Sequence, residues 1–242
     1  MDAQQIWDQV WQRLEQTATA DALTDQRWVL AGCVLGVVLV LTPAWRLARV
    51  PVTVVHELGH AVVGILCGRR FTGFVVNPDM SGHTVTRGRP RGPALVATTA
   101  AGYPAPVVTG AVLVVSVGAG HSDLVLLVAL VACLFGLVRA RSLYTAVVMV
   151  ILVGAIAALW WTGAAEPGAA VVTSVGVLLM VGGWRQLVNV ARHGDRAQDP
   201  GMLAVMTRVP APVWVLVFTA VGAAATWWAV PTLVEAVHAV LA

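Results

Sequence analysis

The chain contains no lysine, and charge of either sign is scarce: Asp, Glu, Lys and Arg together make up 11% of it, where a soluble domain carries about a quarter. That scarcity excludes a soluble globular domain. Cysteine is as sparse, with Cys33, Cys67 and Cys133 each inside an apolar stretch. An odd, unclustered set is neither a disulfide framework nor a zinc knuckle, and reads as small apolar packing residues. The 15 cations are all arginines, scattered through loops with no folded basic domain among them, so nucleic acid is excluded as a partner.

What is abundant is apolar: hydrophobic residues make up 58% of the chain, and its mean hydropathy is +0.81. They fall into charge-free stretches long enough to cross a bilayer core of roughly 30 Å. We read spans at 28–45, 50–68, 93–118, 123–138, 142–162, 168–184 and 211–229. The expectation is an all-α polytopic membrane protein with about seven transmembrane helices and a short β-hairpin loop after the second. Too few polar residues remain for a further soluble domain. Trp28, Trp45, Trp160, Trp161, Trp184, Trp227 and Trp228 fall at span ends, where indole rings settle at the interface.

With seven spans, all arginines but Arg46 and Arg49 share one side, which the positive-inside rule makes cytoplasmic. This predicts a multi-pass protein of the cell membrane with its N-terminus cytoplasmic and its C-terminus extracytoplasmic. Residues 1–27 read as a cytoplasmic tail, because Ile6, Trp7, Val10, Trp11 and Leu14 recur at the spacing of an amphipathic surface helix. Residues 28–229 form the transmembrane domain, and 230–242 a short extracytoplasmic C-terminal helix. In the loop after the second span, Phe71 to Asn77 and His83 to Arg87 flank Asn77-Pro78-Asp79-Met80-Ser81-Gly82, which predicts the hairpin.

Away from the span ends, the only ionisable side chains in the spans are His56, Glu57 and His60. Ionisable groups in hydrocarbon cost a few kcal/mol each, so three on adjacent turns mark a functional site. They spell His56-Glu57-Leu58-Gly59-His60, the HExxH zinc pattern. On a helix the two histidines lie about 40° apart on one face, so both imidazoles reach one metal. Glu57 points about 60° away from His60, beside the metal, where it can take a proton from activated water.

A catalytic zinc needs a third protein ligand. Asp199 is favoured, because Asp199-Pro200-Gly201 sets a carboxylate at a helix start; Asp195 in a polar turn and Asp79 in the hairpin turn are the alternatives. Gly102-Tyr103-Pro104-Ala105-Pro106 should break the third span. Tyr103, His83 and Asn189 are equal candidates for an oxyanion donor.

These residues carry a resemblance. HELGH on an apolar helix, the hairpin after it and a late Asp beside a membrane segment resemble the site-2 protease family of intramembrane zinc metalloproteases. The run from His56 through Gly82-His83-Thr84-Val85-Thr86-Arg87 to Ala101-Gly102-Tyr103, with Asp199-Pro200-Gly201-Met202-Leu203, Thr207 and Pro210, looks like its compact bacterial branch without a PDZ domain. The resemblance implies zinc on His56, His60 and Asp199 and Glu57 as the catalytic base. It also implies hydrolysis of a membrane-embedded or membrane-adjacent peptide bond, in a membrane-anchored substrate such as an anti-sigma factor. Here Pro follows the late Asp where family members often have Gly. Two rival readings are a transporter or ion- or proton-coupled carrier using His56, Glu57 and His60 as a relay, which predicts no tight zinc, and a non-catalytic membrane scaffold, which predicts indifference to Glu57→Gln.

Overall fold

The fold is that of a computed structural model, which describes residues 3–17, 25–163 and 165–241. Residues 1–2 and 18–24 of the expected tail, with 164 and 242, lie outside the described residues. The elements in order are α1 (Ala3–Thr17), α2 (Gln26–Leu41), α3 (Trp45–Leu66), β1 (Arg70–Val76), β2 (Gly82–Arg87), α4 (Pro93–Ala100), α5 (Pro104–Gly118), α6 (Ser122–Val138), α7 (Leu143–Thr162), α8 (Ala165–His193), α9 (Asp199–Thr207) and α10 (Ala211–Leu241). Helix dominates, and the hairpin after α3 is the one sheet among the described residues.

Local sequence sets the boundaries. Asp25 caps α2 by accepting from the Arg27 N–H at 2.9 Å, and Ser142 caps α7 by accepting from Thr145 at 3.1 Å. Pro93, Pro104 and Pro200 stand in the first turns of α4, α5 and α9, where a missing N–H forfeits nothing. Pro104 also breaks the third apolar stretch, and α4 and α5 meet there at 61°. The helix expected after Pro231 runs on from α10 without a break.

α3, α7, α8 and α10 are long and apolar enough to cross a membrane, the bent α4–α5 pair makes a fifth candidate, and α2 and α6 are shorter apolar helices. α8 is the axis of the bundle. Lipid tails are as apolar as leucine, so close approach at small residues holds such helices together. A Cβ on Gly36 of α2 would lie 2.6 Å from the Ser174 carbonyl oxygen, and one on Gly110 of α5 would lie 2.7 Å from Met180 Cγ.

The same contacts give each helix a direction. Along α2, Gly32 faces Ala170, Gly36 faces Ser174, and Val40 packs on Leu178 and Leu179 while its carbonyl accepts from Arg185 at 2.6 Å. α2 and α8 therefore run the same way. Val29, Val117, Leu126, Trp160, Ala169 and Ala236 gather at one end of the bundle, and Leu14 of α1 packs with them. α3 does not return alongside α2: Trp45 touches Gly182 and lies under Arg185, while Gly64 at its other end touches Thr98. Both its ends lie in the Arg185 half of the bundle.

The seven expected crossings are not confirmed: four helices and one bent pair qualify by length and composition. Seven alternating crossings would make α2 antiparallel to α8 and set α1 at the opposite end from the close of α10; instead α1 and Ala236 share an end. At 1.5 Å per residue the 16 residues of α2 rise about 24 Å, short of a roughly 30 Å core.

The hairpin lies along α3. Its turn closes with the Asn77 N–H donating to the Ser81 carbonyl, and its tip is held by Arg49 on the Asp79 carbonyl and Thr53 on the Met80 carbonyl. The outer edge of β1 is covered, because both the N–H and the C=O of Phe74 bond to Arg139 and Arg141. That approach requires Gly73, at φ 148°, where a Cβ would meet the Arg139 carbonyl oxygen at 2.6 Å. The outer edge of β2 has no strand partner among the described residues.

Candidate metal centre

α3 carries His56 and His60 one turn apart, and their Nε2 atoms lie 3.2 Å from each other. Asp199, at the start of α9, brings Oδ2 to 3.4 Å from His56 Nε2 and 3.3 Å from His60 Nε2. These three distances describe a nearly equilateral triangle. A tetrahedral ion with bonds of about 2.0–2.1 Å separates its ligands by about 3.3 Å, so the triangle has the dimensions of three corners of a zinc site. Among the described residues this is the one group of three His, Cys, Asp or Glu so arranged. Asp199 Oδ2 is buried with no hydrogen-bond donor of its own, an acceptor aimed into the triangle. Two imidazole nitrogens and a carboxylate oxygen form a donor set that fits zinc.

The surroundings hold these ligands in place. The Thr98 carbonyl can only accept, so its 2.7 Å contact with His60 Nδ1 fixes the proton there and leaves the Nε2 lone pair facing the triangle. Tyr103 sits edge-on to His56 at 4.9 Å, stacks on Phe218 at 5.8 Å, and donates to Gln198 Oε1 at 2.8 Å, which ties down the residue before Asp199. The break between α4 and α5 is what lets the chain pass so close. A Cβ on Gly102 would lie 2.5 Å from His60 Cε1 and 2.6 Å from Asp199 Oδ2. Gly59 serves the opposite side of the contact, since a Cβ there would reach the Ala101 carbonyl oxygen at 3.0 Å.

Glu57 is 4% exposed and turned toward the hairpin. Thr84 Oγ1 lies 2.7 Å from Glu57 Oε2 and 2.8 Å from the Glu57 carbonyl. Gly82 lies directly on the carboxylate, where a Cβ would be 2.5 Å from Oε1.

Of the three acids weighed as third ligand, the structure brings Asp199 to the histidines and neither of the others. Asp79 is committed to its own turn: the Ser81 hydroxyl, at 2.7 Å, and the Ser81 N–H hold its carboxyl below the usual carboxylate range. Asp195 is exposed and accepts from the Ala197 N–H. Among the oxyanion candidates, Tyr103 is engaged with Gln198, Asn189 is exposed on α8, and His83 is exposed on β2, one residue out of phase with the strand positions that meet Glu57. Sequence reasoning did not single out Gly102, Thr98, Gln198 or Thr84. The available signals were the breaker run around Gly102 and the Gly82-His83-Thr84 run that carries the family resemblance.

Residues 29–229 match the model of the family described as Peptidase M50B-like, which is most of the chain. No curated protein and no solved structure matches.

Proposed function

We propose, from the premise that the chain belongs to the Peptidase M50B-like family of site-2 proteases, that it is an integral-membrane zinc endopeptidase. It cuts a membrane-embedded or membrane-adjacent peptide bond in a membrane-anchored protein. The observation that carries this reading is the His56, His60 and Asp199 triangle beside the buried Glu57. Those three residues would hold zinc, which would supply Lewis-acid chemistry toward the scissile carbonyl and the attacking water. His60 binds through Nε2 because Thr98 takes its other nitrogen, and Asp199 contributes the negative charge. Glu57 removes a proton from the attacking water and returns it to the leaving amine.

A peptide bond inside a helix is masked by its own hydrogen bonds, so the substrate must be held extended. The edge of β2 suits strand addition. Phe74 and Val76 turn their N–H and C=O groups away from β2, which makes their partners Thr84 and Gly82 non-hydrogen-bonded positions. The backbone groups of Thr84 and Gly82 therefore face the free edge. An added strand would be in register with the two residues that touch Glu57.

For the path through the membrane we infer six crossings: α2 with α3, α4 with α5, then α6, α7, α8 and α10. Arg13 and Arg27 then share one side and the other thirteen of the 15 arginines gather on the hairpin side, which is cytoplasmic by the positive-inside rule. On this path α1 and the end of α10 are extracytoplasmic.

The test is zinc content of the detergent-purified protein. Asp199→Ala should lose the metal while Asp79→Ala and Asp195→Ala keep it, and Glu57→Gln should keep zinc yet lose cleavage of a single-span reporter that the wild type cuts. Full zinc in Asp199→Ala would sink the ligand assignment. Undiminished cleavage by Glu57→Gln would sink the mechanism, and full activity without zinc would remove the metal from it.

A further inference from the structure

We propose that Thr84 is the positioning residue for Glu57, so that the strand offered to the substrate also aims the base. The inference rests on Glu57 acting as the base. A glutamate on a helix has three side-chain torsions, and most of their combinations would carry its carboxylate away from a metal bound at His56 and His60. Besides the two histidines, the polar neighbour of Glu57 on α3 is Thr53 one turn earlier, and its hydroxyl donates to the Met80 carbonyl at 3.2 Å. Orientation must come from another element, and among the described residues one donor meets the carboxylate: the Thr84 hydroxyl, at 2.7 Å from Oε2.

A hydroxyl carries one proton, and Thr84 Oγ1 stands within reach of both Oε2 and the Glu57 carbonyl. The carboxylate is the stronger acceptor, so the proton goes there. That bond holds the end of the side chain while Oγ1 stands beside the backbone of the same residue, which restricts the torsions between them. Gly82 completes the clamp from the other oxygen, because its missing Cβ leaves room for Oε1. Gly82 and Thr84 project from the same face of β2, two residues apart, while their backbone groups face the free edge. A peptide added to that edge is registered against the same two residues that hold the carboxylate. The distance between scissile bond and base is thus set within one strand.

A merely structural threonine and a positioning one differ in what they change. The experiment uses the zinc-loaded full chain and a fluorescent single-span reporter that the wild type cuts and Glu57→Gln does not. Thr84→Val keeps the shape and removes the hydroxyl, and Thr84→Ser keeps the hydroxyl. The expected result is a kcat about a hundredfold lower in Thr84→Val, the scale of a misplaced catalytic group, with KM and zinc stoichiometry unchanged and activity largely restored in Thr84→Ser. Wild-type kcat in Thr84→Val overturns the proposal, as do equal losses in both variants, which would mean packing, or a change confined to KM, which would mean substrate docking alone. If no reporter distinguishes wild type from Glu57→Gln, the failure lies with the proteolytic reading, and the Thr84 role falls with it.

Discussion

At the scale of single residues, the candidate metal centre depends on a position with no side chain. Gly102 contributes nothing to the donor set, yet it borders His60 and Asp199 so closely that any Cβ would occupy the space beside them. Its φ is not positive, so alanine is allowed by the backbone and the obstacle is purely steric. We expect Gly102→Ala to fold and to bind zinc at least tenfold more weakly, the scale of changes around metal ligands. Competition with a chelator would measure this, and wild-type affinity would refute the crowding argument. The histidines and Glu57 were legible in the sequence because ionisable groups stand out in an apolar chain. Asp199 was legible as the favoured one of three acids, from its Asp-Pro-Gly helix start, while spacing alone could not separate it from Asp195 four residues away in the same polar segment. Thr84 and Gly82 stood in the run that carries the resemblance, but with no role of their own until α3 is laid across them.

At the scale of elements, glycine faces decide which helices meet. Gly32 and Gly36 form a four-residue repeat on α2 that lets its backbone lie on α8, whereas Gly154 of α7 has nothing within contact of its would-be Cβ. Gly36→Leu should therefore cost about 1–3 kcal/mol through overpacking. The loss would be seen as a lower thermal midpoint in detergent, while Gly154→Leu leaves it unchanged. Equal midpoints would mean that α2 and α8 are not in this contact. Element positions were readable from length and apolar content, and the break at Gly102-Tyr103-Pro104 from its prolines. The direction of α2 was not, because an apolar run looks the same from either end.

At the scale of the whole molecule, that ambiguity carries into orientation. Turning α2 around exchanges Arg13 and Arg27 for Arg46 and Arg49, so the seven-crossing and six-crossing paths divide the 15 arginines in the same ratio. Charge asymmetry cannot choose between them; the pairing of Gly32 with Ala170 and Gly36 with Ser174 is what favours the six crossings proposed above. Reporter fusions at the two ends should accordingly report the same, extracytoplasmic side, and opposite sides would restore seven crossings. The arrangement also has a consequence in time. α6 and α7 are neighbours in sequence and can pair as soon as both are made, but the glycine face of α2 waits for Ser174, which follows Gly36 by 138 residues (174 minus 36). At roughly 5–20 residues per second of synthesis that is on the order of ten seconds. For that interval the first apolar helix stands in lipid with its packing face uncovered, and the bundle closes only when the last third of the chain has arrived.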